Sequence, residues 1–339
     1  MNNQSFSPLS AAEMAVIWKQ YMNDKAISCM LNHFLCHVDD LDIQKAIQGT
    51  LHITTRNSDA LTAIFLKENM PIPLGFGEED LDTEAPKLFS DSFYLLYLKH
   101  ISNVLLLSAT TGVDVAARSD VRSFFRSLLL KAEKLNQTIT DLLLEKQTFI
   151  ELPPIPIADA SDMNDKELFL GSYFDEKRPL TVIEISHIVS SIQTNLIAKD
   201  LILGVAQIAP SQNIQAFLLK GRELVQQHIE SLSQPLMVEN IPVTMKWDYG
   251  VEKSSVPPFS EKLMMFHLAA MITENVCGYG LAMSTSPRLD LALNYTSFTT
   301  EISEYAKEVS RISIEQGWLE EPPHIPFPKI HFLDSLHNK

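Results

Sequence analysis

Glu68-Asn69-Met70-Pro71 decides the architecture, because Glu239-Asn240-Ile241-Pro242 repeats it 171 positions later. At the same offset Leu9 meets Leu180, Glu13 meets Glu184, Ile17 meets Ile188, Ile43-Gln44 meets Ile214-Gln215 and Leu61 meets Leu232. Pro86 meets Pro257, and a short deletion then brings the offset to about 169–170. Arg118-Ser119-Asp120 now faces Arg288-Leu289-Asp290, Phe149 faces Trp318, and Pro153-Pro154 faces Pro322-Pro323. A period this long is not a solenoid; it marks two tandem copies of one domain, each long enough to bury its own core. The tetrapeptide reads as a helix stop, since Asn tolerates the left-handed conformation and Pro prevents continuation.

Composition narrows the function classes. The chain is 45% hydrophobic and 20% charged, with 11 Gly in 339 residues, an ordinary soluble composition tilted toward helix. A formal net charge of −15 would repel nucleic acid or an anionic membrane. No uncharged apolar run reaches the roughly 18–20 residues of a membrane span; the best stretch, 93–113, is broken by Lys99, His100 and Asn103. Residues 1–10 hold no basic segment followed by an apolar core, so no secretory signal is expected, and three cysteines, Cys29, Cys36 and Cys277, fit the expectation of a reducing cytoplasm.

Helical periodicity runs through both copies. Ser10 with Glu13 makes a capping box for a helix to about Val38, and a second helix spans about Asp42 to Glu68. The stretch from Pro71 to Ala85 is too long for a turn and reads as a crossover along a bundle. Pro86 is expected to open the third helix, where a first-turn Pro is favoured. Apolar nearly all round, that helix should meet the other copy, with Tyr94 and Tyr97 near the contact. A fourth helix starts near Ser119. The second copy predicts helices at about 181–208, 211–239, 259–283 and 287–316, the last with Ser286 as cap and Pro287 in its first turn. The expected division is 1–150 as the first four-helix bundle, 151–179 as a linker whose Phe169, Leu170, Tyr173 and Phe174 dock on the bundles, 180–318 as the second bundle and 319–339 as a tail.

Three stretches carry a family resemblance. Ser286-Pro287-Arg288-Leu289-Asp290-Leu291, then Glu301 to Ala306, then Gly317 to Pro323 resemble the closing helix of an uncharacterised ferritin-like family of spore-forming bacilli. Phe76-Gly77-Glu78-Glu79-Asp80 and Pro86 to Asp91 are similar to its crossover and third helix. The resemblance implies an all-α fold of two ferritin-like four-helix bundles, and some members carry a spore coat label.

Such a bundle raises the question of a di-iron centre, which takes Glu from two helices and Glu-x-x-His from the other two. Asp24 is the acid on the first helix, Asn195 replaces it in the second copy, and neither fourth helix puts an acid on its stripe. Glu184-Ile185-Ser186-His187 lies in a first turn, where Glu caps. The centre therefore reads as eroded. Cys29, His33, Cys36 and His37 can share a helix face, with metal ligation and ordinary core packing as the two readings. His228, His267 and Glu274 form a polar set in the second copy, read either as a satisfied core network or as a ligand pocket where they converge. The expectation is a non-enzymatic structural or interaction protein with no cofactor, its partner an unidentified protein such as a spore coat component. It should contact neither nucleic acid nor a membrane interior. The alternative is a bundle that binds metal or a small ligand. The two copies should meet as an internal pseudo-dimer.

Overall fold

A capping box starts each half. Ser10 accepts from the Glu13 N–H while Glu13 reaches back to the Ser10 N–H, and Thr181 and Glu184 repeat the arrangement. The computed structural model describes residues 8–149, 178–241 and 250–324. Its helices are α1 (Ala11–His37), α2 (Leu41–Lys67), α3 (Asp91–Val115), α4 (Ser119–Glu145), α5 (Val182–Ile208), α6 (Gln212–Val238), α7 (Glu261–Thr285) and α8 (Leu289–Glu315). The protein is all-α, with no strand among the described residues, and the second four helices repeat the lengths of the first four. Within each half the first helix packs on the second, the third on the fourth, and the two pairs on one another. The linker aromatics Phe169, Leu170, Tyr173 and Phe174, the Pro153-Pro154 pair and the tail beyond residue 324 lie outside the described residues.

The repeated tetrapeptide ends α2 and α6 as expected. Asn69 and Asn240 sit at φ 54° and 53°. The Met70 N–H closes on the Phe65 carbonyl at 2.9 Å, and that of Ile241 on Leu236 at 2.9 Å. This is the pattern in which a left-handed residue lets two orphan carbonyls be satisfied. The ends of α4 and α8 use the same geometry, at Gln147 (φ 53°) and Gly317 (φ 68°). Gln147 bears a Cβ penalty that Gly317 avoids. Gln147→Gly should therefore raise stability by up to about 1 kcal/mol, read as a higher urea midpoint at unchanged slope.

Pro86 does not open the third helix. That helix begins at Asp91 with Ser90 as cap, and α7 begins at Glu261 with Ser260 as cap. The residues before each cap are engaged across the halves instead. Ser90 N–H donates to Gly250 O at 2.9 Å and Ser260 N–H to Asp80 O at 3.0 Å; Asp82 N–H donates to Pro258 O and Glu252 N–H to Leu88 O, both at 2.8 Å. Isolated antiparallel bridges join Leu81 to Phe259 and Phe89 to Val251. Every bond has a twin 170 residues away, the reciprocity a two-fold contact requires. The register also shows that the deletion precedes residue 80, so Pro86 has Val256, not Pro257, as its counterpart. Pro287 likewise lies outside its helix: α8 starts at Leu289, capped at Arg288, and Ser286 ends α7.

Aromatic rings fill the seam. Phe34 stacks on Tyr94 at 4.2 Å and Phe89 on Phe93 at 4.1 Å. Tyr94 and Tyr97 are buried, and Tyr97 meets His267 of the other half edge-on at 6.3 Å. Gly204 of α5 admits Phe89: a Cβ there would lie 2.3 Å from the ring. α5 is long and apolar enough to cross a membrane by length and composition, yet it is mostly buried within the protein and carries Lys199 and Asp200. α1 is buried on two faces, toward its own half and toward α7, and its Val16 and Asn23 are half-buried beside the other half.

Candidate functional site

The polar residues on helix faces sort into three places. In the first core, Asp24 is fully buried and accepts from Gln20 Nε2 at 2.9 Å, while Gln20 accepts from Ser108 Oγ. Burial pushes the Asp24 carboxyl well above its ordinary range, outweighing Gln20, Asn57 and the Lys131 charge. In the second core, His228 Nε2 lies 2.9 Å from Glu301 and its Nδ1 lies 3.1 Å from the Tyr279 hydroxyl, which accepts from Asn195 Nδ2 at 2.8 Å. Burial lowers His228 despite Glu301. The ring is thus neutral, with Nε2–H donating to the carboxylate and Nδ1 accepting from Tyr279. Helix by helix, Asp24 corresponds to Asn195, Asn57 to His228 and Lys131 to Glu301. The fourth helix does supply an acid here: Glu301 is half-exposed and reaches inward.

These positions do not suit a di-iron centre. One carboxylate, one amide and one lysine in the first half, and an amide, an imidazole, a phenol and one carboxylate in the second, are too few acids and imidazoles for two irons. Among the described residues no group of three or more His, Cys, Asp or Glu is arranged to hold a metal ion. Glu184 is the capping carboxylate, also bonded to Arg178 at 2.8 and 2.9 Å, and not half of an inward Glu-x-x-His pair. The Cys29–His37 set disperses. Cys29 donates to Gly77 O at 3.6 Å, and burial raises its thiol to about 11. His33 donates to Ala85 O at 3.3 Å and meets the His37 ring at a tilt, centroids 4.5 Å apart, while Cys36 is exposed.

His228, His267 and Glu274 do not converge. His228 belongs to the second core, whereas His267 and Glu274 leave the opposite face of α7 and meet the first half. Glu274 pairs with His100 of α3 at 3.1 Å. His267 Nε2 donates to Ala26 O of α1 at 3.4 Å. Burial and the nearby His100 lower His267 to about 4, so it is neutral, and burial raises Glu274 above the ordinary carboxylate range against the pull of His100.

Around this pair a cleft of about 520 Å³ opens between the halves, walled by α1, α3 and α7. Trp18, Met22, Ile101, Val104, Phe266 and Met271 make it mainly apolar; His100, His267 and Glu274 are its inner polar groups. Lys19 and Cys277 line it from exposed positions. That volume falls in the range of small-molecule sites, as does the mix of apolar wall and few polar groups. The helix stripes of the sequence pointed to His267 and Glu274 and put His100 on the inner stripe of the third helix, but did not bring the three together.

Comparison with known proteins agrees with the duplication. The model of a family described as "Protein of unknown function (DUF3231)" matches residues 2–160 and again residues 169–330. No curated protein matches the chain. A crystal structure of a Bacillus halodurans protein, described as "a putative spore coat protein", aligns with 45% of this chain and 98% of its own at 16% identity, with a TM-score of 0.40.

Proposed function

Because the chain belongs to the DUF3231 family of unknown function, its role has to be read from its own residues, and we propose that it is a non-catalytic protein that binds a small, largely apolar ligand in the cleft between its halves. The observation that carries this reading is the cleft itself: about 520 Å³ of mainly apolar wall around a pair of buried His100 and half-buried Glu274. We read each half as a ferritin-like four-helix bundle. Support comes from the short connections within α1/α2 and α3/α4 against the long crossover from Lys67 to Asp91. Its central positions carry packing networks, and their donors do not suit the metal chemistry of that fold. The reading as a structural protein draws on the eroded metal positions, the apolar cores and the sequence resemblance, and its spore association on the resemblance alone.

The test is binding of an uncharged apolar dye, N-phenylnaphthylamine, with Trp18 as an internal reporter on the cleft wall. Saturable dye fluorescence with a change in Trp18 emission is expected. Val104→Trp should fill the cleft and weaken binding at least about tenfold with unchanged helical circular dichroism. Saturation unaffected by that substitution would refute the reading.

A further inference from the structure

We infer that the cleft selects an apolar ammonium ligand, such as a long-chain primary amine, with the Glu274 carboxylate as its counter-charge. This rests on the cleft being a binding site at all and names the ligand class for it.

Four observations favour a cation. First, Glu274 is the one carboxylate on the cleft wall among the described residues, and its side chain is only 25% exposed, so its charge is poorly served by water. Second, the group facing it is a histidine, His100 Nε2 at 3.1 Å, not the permanent cation of a lysine or arginine. A neutral imidazole leaves the carboxylate without a fixed opposite charge, and a ligand ammonium would supply one. Third, the other imidazole, His267, is committed to the Ala26 carbonyl and held neutral, so no second fixed cation lies in the inner cleft to receive an anion. Lys19 is at an exposed position and solvated. Fourth, the whole chain carries a formal charge of −15, which concentrates cations near the surface and repels carboxylates. The remaining wall, with Trp18, Val104 and Phe266 among its side chains, offers an alkyl chain the apolar burial that drives binding.

The experiment is displacement of bound N-phenylnaphthylamine by three ligands of equal chain length, dodecylamine, dodecanol and dodecanoic acid, below their aggregation concentrations. Dodecylamine should displace the dye at a concentration at least about tenfold lower than either of the others. Glu274→Gln should abolish that advantage and leave dodecanol unchanged, the retained dye binding showing that the variant is folded. Glu133→Gln, the same charge change at an exposed position of α4, should leave the advantage intact. Equal displacement by all three, preference for the acid, or an amine advantage that survives Glu274→Gln would overturn the inference while leaving the cleft as an apolar site. Failure of the dye to bind the wild-type chain would instead remove both readings.

Discussion

Arg118→Met should lower stability by about 3 kcal/mol, read as a fall in unfolding temperature on the order of 10 °C. The guanidinium is 3% exposed and grips two acids: Nη1 lies 2.8 Å from Glu68, Nη2 lies 2.7 Å from Asp120, and Nε donates to the same carboxylate at 3.1 Å. Glu68 is the first residue of the tetrapeptide that ends α2, and Asp120 stands at the start of α4, so one side chain ties the two helix ends. The Arg118 N–H also donates to Glu13, the capping carboxylate of α1, at 2.8 Å. Removing the guanidinium takes the cation from Glu68 and leaves Asp120 with Lys67 at 3.2 Å and the Val121 N–H; with the two carboxylates 20% and 24% exposed, this places the loss at the lower end for a broken buried network. Arg118→Lys should recover less than half of it, because an ammonium cannot bond Asp120 through two nitrogens while holding Glu68. A double-mutant cycle with Glu68→Gln should return a coupling above about 1 kcal/mol; a coupling near zero would reduce the contact to surface decoration.

The second half repeats the lock. Arg288 bonds Glu239 at 3.0 Å and Asp290 at 2.8 and 3.0 Å, and its N–H donates to Glu184 at 3.3 Å. In the first half Arg118 lowers Asp120. Burial raises Glu13, but bonds from Arg118, Ser10 and Ala117 lower it further than burial lifts it. Carboxyls held low in the fold add stability that is complete above their unfolded pKa, near 4, and is lost as pH falls through the folded values.

Features that depend on neighbours in sequence were legible in the chain. The repeat, the capping box at Ser10, the capping Glu184 and the Asn-x-Pro helix stops each need only a few nearby residues. The start of α3 was misread because a local preference, Pro in a first turn, lost to a distant one: residues 80–90 bond the opposite crossover, and Ser90 then caps. Glu68 and Arg118 were each visible as repeated residues, but nothing in sequence says that the two repeats touch. The polar set His228, His267 and Glu274 failed for a related reason. α7 is buried on both faces, so its periodicity names inward positions without saying which body they face. His267 and Glu274 turn to the other half, and the cleft they line exists only once the halves have docked.

Asp24→Asn should stabilise the first half at neutral pH, by an amount that grows with pH. Asp24 is fully buried, one of its oxygens has no partner, and burial holds its carboxyl well above the ordinary range. The sign follows from proton uptake. Below the unfolded pKa, near 4, both states hold the proton and the substitution changes little. Above it the unfolded chain releases the proton while the folded chain keeps it, so wild-type stability falls by as much as about 1.4 kcal/mol per pH unit until the buried carboxyl itself ionises. An amide has no proton to retain. It preserves an oxygen for the Gln20 amide, which donates to Asp24 at 2.9 Å. The second half already has this chemistry, with Asn195 at the corresponding position, bonded to Ser191 O and Tyr279. Urea unfolding of wild type and variant between pH 4 and 8 should show curves that coincide at the acid end and diverge as pH rises. A constant difference across that range would mean that Asp24 is ionised in the fold, and a loss of stability at pH 7 would mean that its charge is needed there.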